Sequence, residues 1–211
     1  MHRTLRPLAV AIAAAGALAG LLTLATPAAA GDRFELGLRL GGFEPANSQD
    51  TYDAVYGGTM TQLGAQFEVH TARRIFFQAT FDYGTADGEL VFPVDGRFEP
   101  TGVDSTLKIA PLHLTAAWLF RRRGAAWNAY AGLGPSVLRW SEETDFDDRS
   151  ASDFGGSAVL GIRKPFATWS LGGEIRWSTF PGALGDEGLA DLLGEGDLGG
   201  FGLNAFALYR F

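Results

Sequence analysis

Side-chain polarity reverses at every residue through eight separate stretches of this chain, and a period of two excludes most folds at once. A helix needs a repeat near 3.6, whereas a strand sends successive side chains to opposite faces. Residues 33–43, RFELGLRLGGF, set Phe34, Leu36, Leu38 and Leu40 against Glu35, Gly37, Arg39 and Gly41. The same alternation recurs over 61–70, 75–85, 107–120, 127–137, 156–164, 168–180 and 202–211. Pro135 removes one ladder donor and is expected toward the end of its strand. Most segments run about nine to eleven residues, the length a tilted strand needs to cross a bilayer.

Alternation alone does not say which face is inside. In an eight-stranded barrel the interior barely holds its own side chains. Gly64, Gly84, Gly132, Gly134, Gly161, Gly172 and Gly202 fall on the polar face, and nearly all the Trp, Phe and Leu on the other. Small residues suit a crowded lumen and bulky ones suit lipid, so the apolar face is expected to point out. The connections fit. Short turns at 71–74, 121–126 and 163–166 alternate with long stretches around 44–60, 84–106, 138–155 and 181–198. That is the pattern of periplasmic turns and extracellular loops. Asp95-Gly96 reads as a hairpin tip, which would carry the third and fourth strands beyond the membrane.

Charge sorts the same way. The four long stretches hold nineteen of the 24 acidic residues, while the turns hold Arg73, Arg74, Arg121, Arg122, Arg123, Arg163 and Lys164 and no acid. Trp118, Phe120, Trp127, Trp169 and Trp177 form the expected aromatic girdle. The expected fold is therefore all-β: an eight-stranded antiparallel up-and-down transmembrane barrel with short periplasmic turns and long extracellular loops.

Residues 1–30 read as a secretory signal to be removed, leaving 31–211 as the barrel. Arg3 and Arg6 precede an apolar run from Leu8 to Ala25, and Ala28 and Ala30 give the small-x-small cleavage pattern. Losing Arg3 and Arg6 takes Lys+Arg from 17 to 15 against 24 Asp+Glu, so the net charge moves from −7 to −9. Such an acidic chain is a poor nucleic-acid binder. With no cysteine, neither a disulfide nor a lipidated N-terminal Cys is available.

These features resemble the small eight-stranded outer-membrane barrels of the OmpA/OmpX/OmpW type, over essentially all of 31–211. The most specific likeness is GLNAFALYRF, where Leu203, Ala205, Ala207, Tyr209 and Phe211 look like that class's C-terminal β-signal. The resemblance implies recognition by the barrel-assembly machinery. GGEIRWS (172–178) looks like the penultimate strand, with Glu and Arg inward. No peptidoglycan-binding domain follows, so that OmpA-like function is not expected.

The expected lumen network is Glu35, Arg39, Glu68, Asp82, Lys108, Arg163, Glu174, Arg176 and Arg210, with Gln62, Gln66, Gln78, Asn128, Tyr130 and Asn204 to satisfy the remainder. Charges in a dry lumen must pair. Its bland reading is a structural plug; its sharper one is a gate centred on Glu35, Arg39, Glu174 and Arg176. No catalytic constellation, metal site or cofactor site is expected. A lipid-modifying enzyme would need Ser or Thr bonded to a lipid-facing His70 or His113, and both histidines have inward parity. The acidic stretch 141–153 lacks the EF-hand pattern but could share divalent cations with lipopolysaccharide phosphates. Residues 183–197 have the spacing of a short helix. Expected partners are outer-membrane lipid and lipopolysaccharide. Two roles stay open, a membrane-integrity or surface-interaction protein and an OmpW-like conduit for small molecules.

Overall fold

The computed structural model describes residues 34–46, 49–71, 74–94, 97–121, 126–146, 148–183 and 196–211. Eight strands lie among them: β1 (Phe34–Glu44), β2 (Met60–His70), β3 (Ile75–Val94), β4 (Arg97–Leu119), β5 (Asn128–Thr144), β6 (Asp148–Pro165), β7 (Trp169–Thr179) and β8 (Gly200–Arg210). A helix, α1 (Gln49–Val55), stands between β1 and β2. Each strand pairs antiparallel with the next, and β1 pairs with β8 from Glu35↔Arg210 to Glu44↔Phe201, closing the sheet. No edge is left unpaired around the wall, which a backbone surrounded by lipid requires.

Exposure decides orientation. Leu36 and Leu171 are 49% and 48% exposed, whereas Glu174 and Arg176 are 2% and 4% exposed. Along β7 the outward residues run from Trp169 to Trp177. That is about 27 Å along the strand at ~3.4 Å per residue, close to the ~25 Å apolar band of such walls once tilt is included.

Several strands exceed their alternating cores. β3 and β4 continue to Val94 and Arg97, with a register shift between Glu89 and Val91. β5 and β6 continue to Thr144 and Asp148, so most of the acidic stretch 141–153 is a paired hairpin rather than a loop. The hairpin tip at Asp95-Gly96, the helix expected within 183–197 (all but its end residues), Arg73, Arg122, Arg123 and residues 1–33 lie outside the described residues.

Two apolar clusters fill parts of the lumen, one toward each end. At the turn end, Phe76, Leu119, Tyr130, Val159, Phe206 and Leu208 pack inside the wall. Gly161 makes room there: a Cβ on it would come within 2.2 Å of the Tyr130 ring. At the loop end, Phe43, Tyr52, Met60, Ile109, Leu138, Trp140, Phe180 and Leu198 form a second cluster. Asp197 anchors its roof, accepting from Phe180 N at 2.6 Å and Gly199 N at 2.7 Å, and from Thr179 Oγ1.

Candidate functional site: the ion-paired lumen

Alongside these clusters the inward positions of all eight strands supply polar side chains, organised as two nodes. In the central node Glu174 Oε1 lies 2.9 Å from both Arg39 Nη2 and Arg176 Nη2. Its Oε2 accepts from the Tyr130 hydroxyl at 2.7 Å and from Gln78 Nε2 at 3.1 Å. Arg39 Nε also pairs with Asp82 at 2.8 Å. Arg176 donates to Gln78 Oε1 at 2.8 Å, Thr115 Oγ1 at 3.1 Å and Ser157 Oγ at 3.4 Å.

In the node nearer the turns, Arg163 Nη1 donates to Glu68 Oε2 at 2.5 Å and to Glu35 Oε2 at 3.5 Å. Arg210 donates through Nε and Nη2 to Glu35 Oε1, both at 3.0 Å. The Arg163 guanidinium sits 4.9 Å from the Phe76 ring centroid, a cation–π contact against the turn-end cluster. Gln66 joins the nodes, accepting from Arg39 at 3.4 Å and donating to Glu68 at 2.8 Å. Each node holds two acidic and two arginine side chains, so each is neutral by itself with His70 uncharged. Buried charges survive desolvation only when paired and hydrogen-bonded in this way.

Lys108 does not belong to this layer. Its side chain is 33% exposed and bonds Glu143 at 2.5 Å. The inward positions of β4 are odd-numbered from Ser105 to Leu119, so Lys108 has the parity of the outer wall.

Glu35, Glu68 and His70 each bring one ligand atom within 4.8 Å of the others, a spacing a metal ion can use. Arg163 and Arg210 already supply two positive charges to those carboxylates, so the trio is better matched to guanidinium than to a metal. His113 Nδ1 lies 2.7 Å from Ser136 Oγ, inside the barrel. Ser136 was not singled out from the sequence. Its signal was the β4–β5 register, in which His113 faces Ser136 directly.

Above the central node lies a chamber bounded by Gln62, Asp82, His113, Arg176, Ser178 and Asn204 below and by Phe43, Ile109, Leu138, Phe180 and Leu198 above. Its free volume is about 10 Å³, room for one water molecule.

The outer wall carries aromatic side chains at both rims. Trp118, Phe120, Trp127 and Trp169 stand exposed at the turn end, and Trp177 is paired in register with Phe201 at the loop end. Leu203, Tyr209 and Phe211 face outward, and Phe211 N bonds Phe34 O at 3.1 Å with the two rings stacked at 6.1 Å.

A closed eight-stranded sheet with an apolar outer wall, aromatic rims and an ion-paired middle defines a membrane-spanning β-barrel. Its fold is that of the small eight-stranded outer-membrane barrels. OprG from Pseudomonas aeruginosa matches with 13% identity and a TM-score of 0.57, over 85% of this chain and 96% of that one. Neisserial surface protein A matches with 11% identity and a TM-score of 0.56, over 84% and 97%. Ail, the attachment invasion locus protein of Yersinia pestis, in complex with the heparin analogue sucrose octasulfate, matches with 11% identity and a TM-score of 0.50, over 85% and 97%. No protein-family model and no curated protein matches the chain.

Proposed function

We propose that this is an outer-membrane barrel with a structural or surface-interaction role, exported by removal of residues 1–30, and without catalytic activity. The observation that carries this reading is the filled lumen. Among the described residues a solute path would have to cross the loop-end cluster, the two ion-pair nodes and the turn-end cluster, and the chamber beneath the loop-end cluster holds about one water molecule. A conduit needs a continuous cavity. The His113–Ser136 pair is buried in the lumen rather than turned to the lipid, which speaks against acyl-chain chemistry.

The long hairpins β3–β4 and β5–β6 present acidic residues beyond the apolar wall and are the surface offered to an outside partner. Leu203, Ala205, Ala207, Tyr209 and Phe211 serve as the assembly signal, and the two rims of Trp and Phe as the girdle in lipid and lipopolysaccharide. The refolded protein in a planar bilayer is expected to give no stepwise current above baseline. Steady unitary steps would transfer the assignment to the conduit.

A further inference from the structure

The turn between β6 and β7 sets a lysine against aromatic rings on the outside of the barrel. Arg163 is buried in the lumen, so Lys164, the next residue of β6, faces out and is exposed. Its Nζ lies 5.6 Å from the Trp127 ring centroid and 5.3 Å from that of Phe166. The register explains the first contact, because Asn128 pairs with Arg163 and so brings Trp127 beside Lys164. The turn explains the second: Phe166 N donates to Trp169 O at 2.6 Å and closes the connection to β7. The two rings hold the ammonium by cation–π attraction but offer no lone pair to its three N–H donors. Among the described residues Lys164 has no carboxylate partner.

The surroundings of Lys164 restrict what can reach it. Leu171 is its register partner on β7, and Ile162 stands two residues back along β6. Both are exposed members of the apolar wall, so a group that meets the ammonium does so where headgroups give way to acyl chains. The three turns at this end carry seven basic residues and no acid, and of the seven Arg163 is committed to the lumen. We infer that Lys164, held against Trp127 and Phe166, is a binding site for one anionic glycerophospholipid of the periplasmic leaflet, with the phosphate on Nζ and an acyl chain along Ile162 and Leu171. The phosphate supplies the oxygen acceptors that the rings lack. A headgroup without an amine is preferred, since an ammonium of its own would compete with Lys164 for the phosphate and meet the basic turns. The site needs only the outer wall, whether or not the lumen conducts.

Native mass spectrometry of the refolded protein, released from detergent micelles carrying phosphatidylglycerol or phosphatidylethanolamine, tests this. The first phosphatidylglycerol should be retained about 5-fold more tightly than the first phosphatidylethanolamine, the worth of one lysine beside anionic lipid. Lys164→Gln should abolish that preference and Lys164→Arg should keep it. Lys108→Gln removes the same charge from the loop end and should leave the preference as it was. Equal retention of the two lipids by the native chain would reduce Lys164 to a side chain reaching for water, and would overturn the site. A preference that survives Lys164→Gln, or that Lys108→Gln abolishes as fully, would refute it as well.

Discussion

Glu174 is the residue on which the central node turns. Its two oxygens serve Arg39, Arg176, Gln78 and Tyr130. Glu174→Gln keeps the shape and removes the charge, leaving Asp82 as the one carboxylate of the node for two buried guanidinium groups. The expected loss is about 3–5 kcal/mol in urea unfolding with lipid vesicles, the range for breaking one partner of a buried pair. Removing Arg176 as well should restore part of it, since Arg39 still has Asp82. A loss under about 1 kcal/mol for Glu174→Gln would mean that water reaches the node and that the lumen is wetter than its burial suggests. At this scale the sequence was informative about chemistry and blind to height. Period-two alternation assigned Glu35, Arg39, Glu174 and Arg176 a face. It did not say that Phe206 and Leu208, inward on a strand between Asn204 and Arg210, would join an apolar cluster. Lys108 shows the complementary error, since the alternation itself places it beside Ala110 on the outer wall.

The elements divide into those written in local pattern and those set by tertiary contact. The cores of all eight strands were legible because each face meets one environment over a membrane's thickness. Beyond the apolar band both faces meet water, the hydrophobic alternation fades, and the extensions of β3 to β6 had only pairing to define them. α1 was not foreseen either. Seven residues are too few for a periodic signal, and the helix is held by Tyr52 in the loop-end cluster.

The Tyr56 hydroxyl adds a bond to Glu142 at 2.5 Å and lies 2.8 Å from Ser105 Oγ. Burial, then the charge of Asp53, pushes Tyr52 up to about 12 from an ordinary 10.0. Burial, then the charge of Glu142, raises Tyr56 as well. The folded state thus favours the neutral phenols. Their contribution is complete below about pH 10 and is lost as pH climbs through 12. Urea midpoints measured across that window should fall for the native chain and fall less for the Tyr52→Phe/Tyr56→Phe variant. An identical decline in both would place the alkaline sensitivity elsewhere.

For the whole molecule, charge is distributed along the barrel axis. In sequence, nineteen of the 24 acidic residues fall in the four long stretches between strand cores, the described ones toward the loop end, and the lumen nodes are neutral in themselves. The interior is therefore indifferent to salt, while anything approaching from the loop end meets a screened acidic field extending about 8–10 Å at physiological ionic strength.

Closure of the sheet has a further consequence. A strand at the margin of an open sheet can peel away by breaking one ladder, but here β1 is held by both β2 and β8, and Arg210 reaches Glu35 across 175 positions of sequence. Deuterium uptake in the bilayer-embedded protein should reflect that symmetry, with the amides of β1 and β8 as slow to exchange as those of β4 and β5. Early exchange confined to the first and last strands would mean that the ring breathes at its seam.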